Sequence, residues 1–164
     1  MMLLLAFWGC ASDVGPPMRL DDPAAWAWMP AEVDPFIDHR PDDPTCPVAT
    51  YGPESGGFEV QTGACHYGAF EQPLIVEVRR GDRVFGTVWH EDLDTAVAGD
   101  AHVAILLGDV VVWETTIAIP APADVHPFDV MLPRGVEGAE RLGFHIHNHG
   151  FNSWRLASVE WEGG

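Results

Sequence analysis

The chain has 164 residues and carries 25 Asp+Glu against 8 Lys+Arg, a net charge of −17. That length makes one domain with room for one core. Such a charge repels phosphate backbones and anionic headgroups, which excludes nucleic acid as a partner and leaves a tether as the route to a membrane. All eight basic residues are arginine, and the acidic residues are scattered, as on a solubilising surface.

The N-terminus opens with an apolar run over residues 3–8, then Gly9-Cys10, then a polar, proline-rich stretch. The run is too short to span a bilayer, which takes about 20 apolar residues. This pattern resembles the end of a bacterial lipoprotein signal peptide, in which an apolar core leads into a small residue and a lipidated cysteine. The resemblance implies a signal segment over 1–10 with lipidation at Cys10. It implies an exported protein anchored to the cell envelope, at the outer membrane or the periplasmic face. The alternative is a frayed N-terminus with a chance apolar run.

The chain has three cysteines. With Cys10 lipidated, Cys46 and Cys65 are left to pair, and a disulfide persists in an oxidising compartment. Two unrelated thiols are the alternative. No C-x-x-C occurs, so a thioredoxin-like redox site is not expected.

Residues 11–57 read as tether and arm. Nine of the 14 prolines lie between Pro16 and Pro53, and proline fixes φ and removes a donor. Trp26, Trp28, Met29 and Phe36 interrupt this composition; they either dock the arm onto the domain or sit in a loose spacer.

From Phe58 onward β-branched and aromatic residues come in short runs separated by Gly, Pro and Asp. Strands are predicted over 58–61, 74–79, 83–90, 102–107, 110–119, 127–132, 141–149 and 153–161. Gly108-Asp109 suits a type II′ hairpin that would pair Leu107 with Val110, Leu106 with Val111 and Ala104 with Trp113. No stretch keeps a 3.6-residue period. The expected fold is all-β, a two-sheet antiparallel sandwich of jelly-roll type over 58–164, preceded by the proline-rich arm.

Trp113-Glu114, then 117–120, then a closing strand over 152–161 resemble the galactose-binding-like jelly rolls of bacterial carbohydrate-binding modules. The resemblance covers about residues 65–162 and implies recognition of a glycan or another envelope ligand.

The sharpest chemical signal is His145-Ile146-His147-Asn148-His149-Gly150. Alternation along a strand turns Leu142, Phe144 and Ile146 one way and His145, His147 and His149 the other. Imidazole is the commonest transition-metal ligand, so Zn or Cu is the alternative cofactor to none. Same-face neighbours stand about 6.6–6.8 Å apart, so a site would use two of the three with a distant ligand. His90, His102, His126 and His66 are the candidates, with Glu91 or Asp92 as carboxylates. The competing reading is an exposed polar strand face. HxH also resembles the cupin metal motif, but the second half of that motif is missing downstream.

Residues 148–154 offer a second reading. Phe151 and Trp154 could present flat rings for sugar stacking, with Trp89 and His90 lining the same patch. The expected ligand patch is His90, His145, His147, Asn152 and Trp154; a core role for Trp154 is the alternative. Glu91-Asp92 and Asp94 are candidates for a structural Ca²⁺ or a solvated turn. No G-x-S-x-G, phosphate loop or H-E-x-x-H is present, so no catalytic residue is assigned and a non-enzymatic binding protein is expected, with a hydrolase on the same scaffold as the alternative.

Overall fold

The computed structural model describes residues 15–147 and 151–164. Cys10 and His149, expected as the lipidation site and a metal ligand, lie outside the described residues.

Among the described residues, eleven strands form two antiparallel sheets. The first contains β1 (Met18–Arg19), β3 (Tyr51–Glu54), β4 (Gly57–Gln61), β6 (Arg83–His90), β9 (Asp124–Met131) and β11 (Ser153–Glu162), in the order β3-β4-β11-β6-β9 with β1 also on β11. The second runs β2 (Ala27–Trp28), β5 (Tyr67–Pro73), β10 (Arg141–His147), β7 (Gly99–Leu107), β8 (Val110–Ile119). The only other regular elements among the described residues are 3-10 helices at Ala31–Val33, Ile37–His39 and Val48–Thr50. The expected all-β, two-sheet antiparallel sandwich is therefore the fold.

The core lies between the sheets and follows the strand period. On β10, Leu142, Phe144 and Ile146 are buried; Val84 and Val88 of β6 and Trp154 and Leu156 of β11 meet them from the other sheet. Each such side chain contributes about 1.5–3 kcal/mol by leaving water.

The arm is docked. Leu20, Trp26 and Met29 are buried, and the Trp26 ring packs 5.4 Å from that of Phe58. β1 pairs with β11, β2 with β5 and β3 with β4, so strand structure begins well before residue 58. The expected disulfide joins Cys46 to Cys65 and ties the arm's end to the segment before β5.

Two local expectations need correction. Residues 74–79 form no strand; the strand there is β5, which ends at Pro73. Beyond Pro73 the apolar alternation has no ladder partner, and Ile75 is 66% exposed. Gly68 and Ala69 concealed β5 itself, because small residues lack the β-branched signature. In the hairpin, Gly108 has φ 58° and Leu107–Val110 and Leu106–Val111 pair as expected. A bulge then shifts the ladder, so Trp113 opposes Ile105 and Ala104 opposes Glu114.

Candidate functional site

β10 turns His145 and His147 to the outer face of its sheet, opposite the core-facing Leu142, Phe144 and Ile146. The neighbouring strand β7 places His102 directly across from His147, and His145 across from Ala104. His102 is thus a diagonal neighbour of His145, with ring centroids 5.2 Å apart. The exposed strand face weighed as an alternative does not exist at His145, which is only 1% exposed. The arm covers it: the Phe36 ring lies 4.2 Å from that of His145 and 5.0 Å from that of His102.

The same turn delivers a third imidazole. His39 closes the 3-10 helix Ile37–His39, stacks on Phe36 at 5.6 Å, and approaches His102 at 5.3 Å and His145 at 6.0 Å. His147 stands beside it, 5.9 Å from the His39 ring. Among the described residues, His39, His102 and His145 are the group of potential metal ligands whose donor atoms converge, all within 4.8 Å of one another.

A buried polar network anchors this turn. The Asp34 carboxylate accepts hydrogen bonds from the Tyr67 hydroxyl, the Phe36 amide at 3.0 Å and Arg40 Nη1 at 3.0 Å. Arg40 Nη1 also donates to the Met29 carbonyl at 3.2 Å, with its guanidinium over the rings of Trp28 and Tyr67. Burial, then the bond to Asp34, pushes the Tyr67 hydroxyl well above the usual phenol range. Burial also drives the His145 pKa well below the ordinary imidazole value, with His102, His39 and His147 adding to the effect. Neither ring nitrogen of His145 has a hydrogen-bond partner, and neither does Nδ1 of His102, although all three are buried. His102 Nε2–H donates to the Glu114 carboxylate at 3.0 Å.

The expected five-residue ligand patch is not one surface. His90 and Trp154 belong to the opposite sheet and point into the sandwich, where their rings lie 4.5 Å apart. Trp154 is fully buried, so it anchors the final strand in the core and offers no stacking face. For the same reason His90 cannot join His145 and His147 around a metal; its Nδ1–H donates to the Glu91 carbonyl at 2.7 Å and its ring stacks on His126 at 5.1 Å. Asn152 is structural too: its Oδ1 accepts from the Asp94 amide at 2.8 Å. His66 is exposed ahead of β5 and takes no part in the histidine cluster.

At the end of the first sheet lies a cleft of about 560 Å³, lined by Trp89, the edge of His90, Glu91, Asp92, Asp124 and Val125, so of the expected ligand patch His90 alone reaches it. Trp89 is half-buried, and the Arg155 guanidinium sits 4.7 Å over its ring. Asp92 Oδ1 accepts from the Ala123 amide at 2.8 Å, and Leu93 bridges Ala121, so the two segments that bring Asp92 and Asp124 to the cleft are tied together. The lining thus brings one indole together with three carboxylates.

The fold has solved counterparts. A structure described as "CBM4 structure and function" matches with a TM-score of 0.50 at 13% identity, over 90% of this chain and 94% of that one. A "Family 16 Carbohydrate Binding Module-2" matches at 0.39 and 9% identity, over 68% of this chain and 84% of that one. At these identities the likeness is one of fold, and it rests on the first. No protein-family model and no curated protein matches the chain.

His39 escaped the sequence reading because it lies in the arm, remote in sequence from β10. The available signal was Phe36, an aromatic residue flagged for docking: a residue three positions after a docked aromatic is brought to the same surface by one tight turn.

Proposed function

We propose that this protein is a non-catalytic binding module of the bacterial cell envelope, anchored by lipidation at Cys10, and that its sandwich binds a glycan. The observation that carries the glycan reading is the cleft at Trp89: a half-buried indole and three carboxylates lining about 560 Å³, on a fold like that of a carbohydrate-binding module. Sugars stack their C–H faces on aromatic rings, and carboxylates accept from their hydroxyls. Glu91, Asp92 and Asp124 supply those acceptors, while the Arg155 guanidinium over the Trp89 ring steadies the indole. The strong negative charge favours a neutral or cationic glycan over a sulfated or uronate-rich one.

Affinity electrophoresis of the full chain against a panel of neutral and charged polysaccharides tests this reading. Retardation by at least one neutral polysaccharide is expected, weakened roughly tenfold or more by Trp89→Ala, as for other buried aromatic anchors. No retardation by any polysaccharide, or retardation indifferent to Trp89→Ala, overturns it. The anchor is tested separately: Cys10→Ser should move the chain from the membrane fraction to the soluble one.

A further inference from the structure

The three histidines of the arm and outer sheet face form a second site, independent of the glycan reading. Their donor atoms already lie within 4.8 Å of one another. Bonds of about 2.0–2.1 Å in tetrahedral geometry hold nitrogens about 3.3 Å apart, so ligation requires ring rotation and a small approach of one residue. His39 is the residue free to make that approach, since it is exposed and sits on a short turn.

The polar accounting points the same way. Both nitrogens of His145 and Nδ1 of His102 are buried with no hydrogen-bond partner. Buried polar groups nearly always find partners, because losing water without replacement is costly. His102 is also arranged as a ligand: its Nε2–H donates to Glu114 at 3.0 Å, which leaves the lone pair on Nδ1, the unpartnered nitrogen. A carboxylate behind a ligating imidazole is the usual outer-shell support. An all-imidazole set suits Zn²⁺ or Cu²⁺; Ca²⁺ and Mg²⁺ prefer oxygen.

We propose that His39, His102 and His145 bind one divalent transition-metal ion, and that this ion cross-links the N-terminal arm to the outer face of the β2-β5-β10-β7-β8 sheet. The ligands come from three places in the chain: the arm turn, β7 and β10. His147 borders the site next to His39 and is the neighbouring imidazole for a fourth position. The Cys46–Cys65 disulfide fastens the far end of the same arm segment. Metal and disulfide together bracket residues 39–46.

The test is calorimetric titration of Zn²⁺ into the metal-stripped full chain, beside His39→Ala, His145→Ala and, as a control outside the cluster, His66→Ala. The expected result is one Zn²⁺ per chain, with His39→Ala weakened by more than the roughly 10–100-fold that outer-shell changes cost, and His66→Ala unchanged. Zn²⁺ should raise the melting temperature of the wild-type chain and leave that of His39→Ala in place. The exposed position of His39 keeps the test intact if His145→Ala fails to fold. Binding other than one per chain, or His39→Ala binding Zn²⁺ as tightly as wild type, overturns the proposal.

Discussion

The ring of Phe36 lies 4.2 Å from that of His145, and this contact converts a polar strand face into an interior. Phe36 reaches that position because Asp34, Tyr67 and Arg40 hold the turn on which it sits. The arm therefore covers His145 and supplies one member of the histidine cluster, the exposed His39.

Phe36→Ala should open the cluster to water. Because Phe36 is only partly buried, the expected loss is about 1–3 kcal/mol, below the range for a fully buried phenylalanine. Urea unfolding measures the loss, and His145 should become reactive to diethyl pyrocarbonate. Unchanged protection of His145 would show that Phe36 is not what covers it.

Asp34→Ala should cost more. It leaves the Arg40 guanidinium without its carboxylate partner at 3.0 Å and the Tyr67 hydroxyl without an acceptor, in a place where the two ion-pair side chains are 9% and 1% exposed. Breaking a buried pair from one side costs about 3–5 kcal/mol. Chemical denaturation of Asp34→Ala beside an Asp34→Ala/Arg40→Met double variant separates the stranded charge from the lost packing. The double variant should recover part of the stability.

Removing the disulfide by Cys46→Ser/Cys65→Ser frees a loop with a sequence separation of 19. In the chain-entropy account this costs about 3 kcal/mol. The thermal midpoint of the double variant reads the loss directly, and an unchanged midpoint would mean that the arm is held by its packing alone.

His126 gives the stability a pH dependence. Burial, then the neighbouring His90, lowers its pKa in the native state. In the unfolded chain it titrates near its ordinary value of about 6.5. Above that pH both states are neutral and the residue contributes nothing. Below it the unfolded chain takes up a proton that the native state resists, so stability falls with falling pH. Urea midpoints measured on either side of about pH 6.5 should show a decline that is shallower in His126→Gln. An identical decline in that variant would assign the effect elsewhere.

How far the sequence could be read depended on whether a residue's environment is local. β6, β8 and β11 were legible because period-2 alternation records which face of a strand is buried. The inward turn of Leu142, Phe144 and Ile146, and the outward turn of His145 and His147, follow from the same period. What covers the outward face is a long-range fact, and no local pattern encodes it. Hence the arm over His145 and the arrival of His39 were not visible. Trp89, His90 and Trp154 show the same limit: all lie at one end of a sheet, yet register buries Trp154 completely and leaves Trp89 and the edge of His90 at the cleft. β5 was hidden for a compositional reason: Gly68 packs closely against Phe70 and Ile146, Ala69 is buried, and neither carries a strand signature.

The pairing of Met18 with Trp161 and of Arg19 with Glu160 sets an order of events on the chain's formation. Among the described residues, the first strand in chain order docks against the last. A ribosome or a secretion channel feeding this chain from its N-terminus would release every intervening strand before β1 has a partner. The β1–β11 pairing therefore forms after the β2–β5 and β3–β4 pairings of the same arm, whose partners emerge close behind them.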